Sequence, residues 1–203
     1  MLRHACFVTL FLGSSFAWCE SAATLDADEL AALSAAMEQT HKLNPSGWLL
    51  IDAWTAAFPC DPGEPRVVVL DGCSGIARPG QDPAEMLAIV KEAIPALDEE
   101  EIGDFLAKGA ASVAIGTPLT LGIKQVIWSP ADPAGFPADL GKPEAAMNLS
   151  RVGFDASRGH ALLYIGSISY TAAEHSFGEY VYLTKANGSW SVQGTMQSWK
   201  MGN

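Results

Sequence analysis

The sequence predicts an α+β domain in which N-terminal helices and a helix pair pack on one face of a mainly antiparallel sheet of about five to six strands. Three observations carry this. Helix caps and stops fall before residue 110, apolar and β-branched runs crowd after residue 145, and Asn187-Gly188 joins the last two runs with a strong hairpin signal.

In chain order, Asp26 followed by Glu29 has the spacing of an N-terminal cap with a glutamate three residues on, and Leu30, Leu33 and Met37 recur at helical spacing. This helix should end near Leu43, before Asn44-Pro45. The apolar stretch 48–58 has two readings. Leu50, Trp54 and Phe58 would share a helical stripe capped by Ser46, whereas Trp48-Leu49-Leu50-Ile51 would serve equally as a strand; the helix is the favoured expectation. Residues 67–71, Val-rich and bounded by Pro65 and Gly72, read as a buried strand.

Asp82-Pro83-Ala84-Glu85 then places a cap, a first-turn proline and a first-turn acid in order, with Pro95 as the stop. Asp98 with Glu101 repeats the capping logic, and Ile102, Phe105 and Leu106 form the inward stripe up to Gly109. The acids 98–101 complement the positive end of the helix dipole, which explains them better than cation binding does. Strands are expected at 121–128, 148–155, 161–170, 178–186 and 189–199, with a Pro- and Gly-rich loop at 129–143. The last strand alternates Trp190 and Val192 against Ser191 and Gln193, so one of its faces is buried.

The chain has 203 residues, with 12 Lys+Arg against 23 Asp+Glu and a net charge of -11. No basic surface is available to meet a polyanion, which excludes most nucleic-acid binders. The acidity is uneven: residues 20–110 hold 17 acids and 5 bases, and residues 111–203 hold 6 of each.

Residues 1–23 read as a secretory signal, with Arg3 and His4 ahead of the apolar run 5–16 and cleavage expected between Ala17 and Ala23. Lipidation at Cys19 is disfavoured by the bulky Trp18 before it. The mature chain, 24–203, is then a single domain with no membrane span, secreted or periplasmic. Its only cysteines, Cys60 and Cys73, are expected to form a disulfide, worth about 3 kcal/mol for a loop of that size.

The segment Leu149-Ser150-Arg151-Val152-Gly153-Phe154-Asp155, followed by Ala161-Leu162-Leu163-Tyr164-Ile165, Tyr180-Val181-Tyr182-Leu183, Lys185, Gly188-Ser189-Trp190 and Trp199, resembles a strand pattern of secreted bacterial proteins, LSRVGFN…ALVYV…YxLLxK…GxW…W. The resemblance implies export and an antiparallel C-terminal half. It implies no catalytic residue. Phe136-Pro137 stands where the pattern has a Tyr-Pro segment, and the tail Lys200-Met201-Gly202-Asn203 also departs from it.

Chemistry-bearing motifs are sparse. His41, His160 and His175 lack the spacing of a helical zinc site, no glycine-rich phosphate loop follows a strand, and no cofactor is expected. Ser74 in Gly72-Cys73-Ser74-Gly75 lacks the flanking order of a nucleophile turn. Glu174-His175 and the pair Asp155 and His160 should lie at opposite ends of one strand of roughly ten residues, about 33 Å apart, which argues against a shared site. Arg151 is expected in a structural salt bridge. The favoured reading is an exported, non-enzymatic binding or structural module that contacts a protein or another envelope component. The alternatives are a hydrolase whose site is too scattered to recognise, and a cation- or pH-responsive factor.

Overall fold

The structure, a computed structural model, describes residues 24–41, 43–57, 82–129, 136–172 and 175–201. The expected signal, the strand at 67–71, Cys60, Cys73, Ser74 and Glu174 lie outside them.

Helix α1 (Ala27–Thr40) starts where its cap predicts. The Glu29 N–H donates to Asp26 Oδ1 at 2.9 Å, and the Asp26 N–H donates back to Glu29 Oε2 at 3.1 Å, so two otherwise orphaned donors are satisfied. The stretch expected as a helix is instead strand β1 (Trp48–Asp52), buried throughout. A strand apolar on both faces gives a continuous run that periodicity cannot separate from a helix, and β1 has that environment because it lies inside the sheet. Ser46 caps nothing; its N–H donates to the Asn44 side chain at 3.1 Å, within the turn that leads into β1.

Helices α2 (Pro83–Ala93) and α3 (Glu99–Gly109) follow the predicted punctuation. The Ala84 N–H donates to Asp82 Oδ1 at 2.9 Å, and the Asp98 N–H donates to Glu101 Oε2 at 3.0 Å. Strands β2 (Lys124–Trp128), β3 (Ala145–Leu149), β4 (Gly153–Phe154), β5 (His160–Ser169), β6 (Phe177–Ala186) and β7 (Ser189–Lys200) complete a seven-stranded sheet. Its order is β2-β1-β3-β5-β6-β7, with the two-residue β4 paired to β5. The sheet is mixed: β1 runs parallel to β2 and β3, and the remaining pairings are antiparallel. At the β6–β7 turn Asn187 and Gly188 take φ of 52° and 79°, the left-handed pair a type I′ hairpin requires.

The helices do not share one face. Leu33 and Met37 of α1 join Leu49, Met147, Leu163 and Val181 in one core. Leu87, Val90 and Phe105 of α2 and α3 join Leu162, Tyr164, Tyr180 and Tyr182 in another. Because side chains alternate along a strand, 161, 163 and 165 face α1 while 162 and 164 face the helix pair. Both parities of β5 and β6 are apolar, and such strands need cover on both sides. The half-wet pattern of β7 by itself implies a single covered face, whereas the doubly apolar β5 and β6 beside it require two.

The outer edge of β7 is held by a side chain acting as a strand neighbour. Gln39 Nε2 donates to the Trp190 carbonyl at 3.1 Å, and the Val192 N–H donates to Gln39 Oε1 at 2.9 Å. No described helix is long and apolar enough to cross a membrane.

Candidate functional site

Helix α1 runs from a closed polar cluster at its N-terminus to an open cleft at its C-terminus. Fourteen residues make that distance about 21 Å.

The closed end absorbs the segment 149–154, and each of its residues has a structural task. Leu149 and Val152 are fully buried in the α1 core. Ser150 Oγ accepts from the Tyr164 N–H at 2.8 Å and donates to the Arg151 carbonyl at 2.6 Å, which closes the ladder where β3 ends. Arg151 makes a two-point pair with Glu29, Nε to Oε1 at 2.6 Å and Nη2 to Oε2 at 3.1 Å, and the Glu29 side chain has no exposed surface. Gly153 lets α3 approach: a Cβ there would lie 2.4 Å from the Glu101 carbonyl oxygen and 2.5 Å from the Phe105 nitrogen. The Phe154 ring lies 5.7 Å from that of Trp190, with Lys108 and Arg158 against it.

Around this segment the charges are paired. Arg158 bonds Asp26 at 2.7 Å and Asp28 at 3.2 Å, and Lys185 bonds Asp28 at 2.7 Å. The Lys185 hydrogen bond holds the Asp28 carboxyl below its usual range. At Asp26 burial works the other way, but the Arg158 hydrogen bond and the Glu29 N–H outweigh it and lower that pKa too. Asp155 closes the turn into β5, accepting from the Gly159 and His160 N–H groups at 2.7 and 2.8 Å. His160 Nδ1 lies 3.3 Å from Glu101 Oε1. Arg151, Asp155 and His160 thus belong to the scaffold.

The other end is a cleft of about 380 Å³, within the range of small-molecule sites. Leu43, Leu49, Met147 and Phe177 supply apolar lining, while Glu144, Ser167, His175, Gln197 and Lys200 supply polar groups. The sheet explains the placement. Ser167 and Ser169 continue the α1-facing parity of β5 past Ile165, so the apolar face turns polar where α1 ends.

These polar groups are short of partners. Ser167 is 3% exposed and lines the cleft, yet its hydroxyl has no hydrogen-bond partner among the described residues. The Glu144 carboxylate has no ion-pair or hydrogen-bond partner among them either, and its Oε2 is enclosed, 2.6 Å from where a Gly47 Cβ would sit. His41 stacks at 4.9 Å on Phe177, with Nδ1 2.6 Å from the Thr40 hydroxyl and Nε2 enclosed without a partner. Burial depresses its pKa to about 4, so the imidazole is neutral at ordinary pH. Burial pushes the Glu179 pKa up, the nearby Thr40 hydroxyl offsets only part of the shift, and Glu179 Oε1 is enclosed without a partner among the described residues.

His175 lines this cleft, whereas Asp155 and His160 lie at the other end of β5. The reading that looked for chemistry in histidine spacing and acid runs missed His41, Glu144, Ser167 and Lys200. Ser167 alone of these had a signal, a break in parity: serines at 167 and 169 on a face otherwise filled by leucine, isoleucine and alanine. Among the described residues no group of three His, Cys, Asp or Glu side chains gathers to hold a metal.

The fold and cleft define an α+β sheet covered on both faces, with a partly apolar concavity beside the end of its first helix. Comparison with protein families, curated proteins and solved structures finds no match for the chain.

Proposed function

We propose that this chain is an exported binding module of the cell envelope, and that the cleft at the end of α1 is where it binds a small ligand. The supporting observation is the contrast between a scaffold whose Asp26, Asp28 and Glu29 carboxylates are ion-paired and a cleft in which the Ser167 hydroxyl and the Glu144 carboxylate have no partner among the described residues. Unpaired polar groups in a partly enclosed site cost stability, and a ligand that satisfies them recovers it. The apolar lining supplies area, and the few polar groups fix orientation. Export rests on the leader-like residues 1–23, the Cys60 and Cys73 pair, and the resemblance of 149–199 to secreted bacterial proteins.

Titrating a library of small polar and amphipathic compounds into the labelled mature protein, and following backbone amide shifts, tests the binding reading. Saturable shifts confined to residues such as His41, Ser167 and Phe177 are expected; a library that moves none of them would sink it. Export is tested by fractionation and by thiol counting in the denatured, unreduced mature chain. Two titratable thiols would count against an oxidising compartment.

A further inference from the structure

The cleft's free groups are arranged by charge, and the arrangement selects a ligand class. On one side lies Glu144, a carboxylate without a counter-ion among the described residues. On the other lies Lys200 of β7, an exposed ammonium without one. Between them is Ser167 of strand β5, whose hydroxyl has no hydrogen-bond partner among the described residues.

The sheet register sets the separation. Lys200 pairs with Phe177, Phe177 with Ser167, and Ser167 with Met147. That is three strand spacings, about 14 Å. Glu144 precedes Met147 by three residues, about 10 Å along the strand direction. The two backbone positions are therefore about 17 Å apart on a flat sheet. Both residues line the cleft, so a ligand that bridges their side chains spans less than this backbone separation, the reach of a short extended peptide at about 3.3 to 3.6 Å per residue.

A ligand that fills this space carries a hydrogen-bond-donating cation at one end, an anion at the other, and a partly apolar body over Met147 and Phe177. We infer that the cleft takes short zwitterionic peptides of two to three residues, with the terminal ammonium on Glu144, the terminal carboxylate on Lys200, and a main-chain amide against Ser167. This rests on the cleft being the binding site. Charge complementarity carries it: a ligand with only a cation would leave Lys200 unmatched, and one with only an anion would meet an uncompensated, half-enclosed carboxylate.

The test uses the mature chain and the tripeptide alanyl-leucyl-alanine in three forms: free, N-acetylated and C-amidated. The free form is expected to bind in the cleft by amide shifts, and each block to weaken it about tenfold, the scale of one charge-assisted contact. Glu144→Gln should erase the penalty of acetylation and keep that of amidation, and Lys200→Gln should do the reverse. Neither side chain has a partner to lose among the described residues, so both variants should melt close to the parent. Equal affinity for all three forms would overturn the peptide assignment, as would penalties that both variants leave in place. If uncharged compounds shift the cleft residues and no tripeptide does, the peptide inference fails while the binding reading stands. If nothing shifts them, both fail.

Discussion

The two ends of α1 present similar side chains in opposite states. At the N-terminal end, Glu29 is buried and paired with Arg151, and Asp26 and Asp28 are tied to Arg158 and Lys185. At the C-terminal end, Glu144 Oε2 is enclosed and the Ser167 side chain lines the cleft, neither with a partner among the described residues. A buried carboxylate holds structure together when its charge is met, as at Glu29, so the Glu29–Arg151 pair is architecture. The second end leaves polar groups unmatched among the described residues, and the proposed ligand site rests on that difference.

The largest way to break the comparison is at Arg151. Arg151→Ala strands Glu29 as an uncompensated charge with no exposed surface, and a loss of about 3 to 5 kcal/mol in urea unfolding is expected. A loss under about 1 kcal/mol would show that the closed end is not what holds α1 in place. Gly153→Ala comes next. Its new methyl collides with α3 backbone at 2.4 Å, so a loss of about 1 to 3 kcal/mol should follow as the helix shifts.

A smaller effect depends on pH. His41 has a folded pKa of about 4 against an ordinary 6.5, so between those values the unfolded chain binds the extra proton. Stability from this group is complete above about pH 6.5 and falls as pH drops toward 4. The raised pKa of Glu179 works in the opposite sense above the usual carboxylate value, because there the folded chain holds the proton and gains as pH falls. His41→Asn should therefore flatten the decline between pH 6.5 and 4. An unchanged slope would place the acid sensitivity elsewhere. Asp26 and Asp28, whose pKa values are lowered, lose their contribution only below about pH 3.8.

Much of the closed end was legible in the chain. Asp26 with Glu29, Asp82 with Pro83, and Asn187-Gly188 announce their geometry locally, because a cap or a turn is decided within four residues. Strand β1 was not, since Trp48 to Ile51 becomes a strand only through β2 and β3, which lie about 75 to 100 residues later. The second covered face was missed for a related reason: Leu162, Tyr164, Tyr180 and Tyr182 look like ordinary strand residues until α2 and α3 are placed over them. The cleft was the least visible part. Its polar residues come from the end of α1, the approach to β3, β5, the β5–β6 connection and β7, and no local spacing links Thr40 to Glu144 or to Lys200. Arg151 stood out because a charge inside an apolar strand motif demands a partner, although nothing local named Glu29.

On the proposed function, the open end of α1 is kept for a ligand and not for the fold. Thermal unfolding of Glu144→Gln beside the parent tests it most directly, because the change keeps the shape and removes only the unpaired charge. The melting temperature should equal or exceed the parent's. A drop comparable to that of Arg151→Ala would mean that Glu144 is structural after all, and would contradict the account.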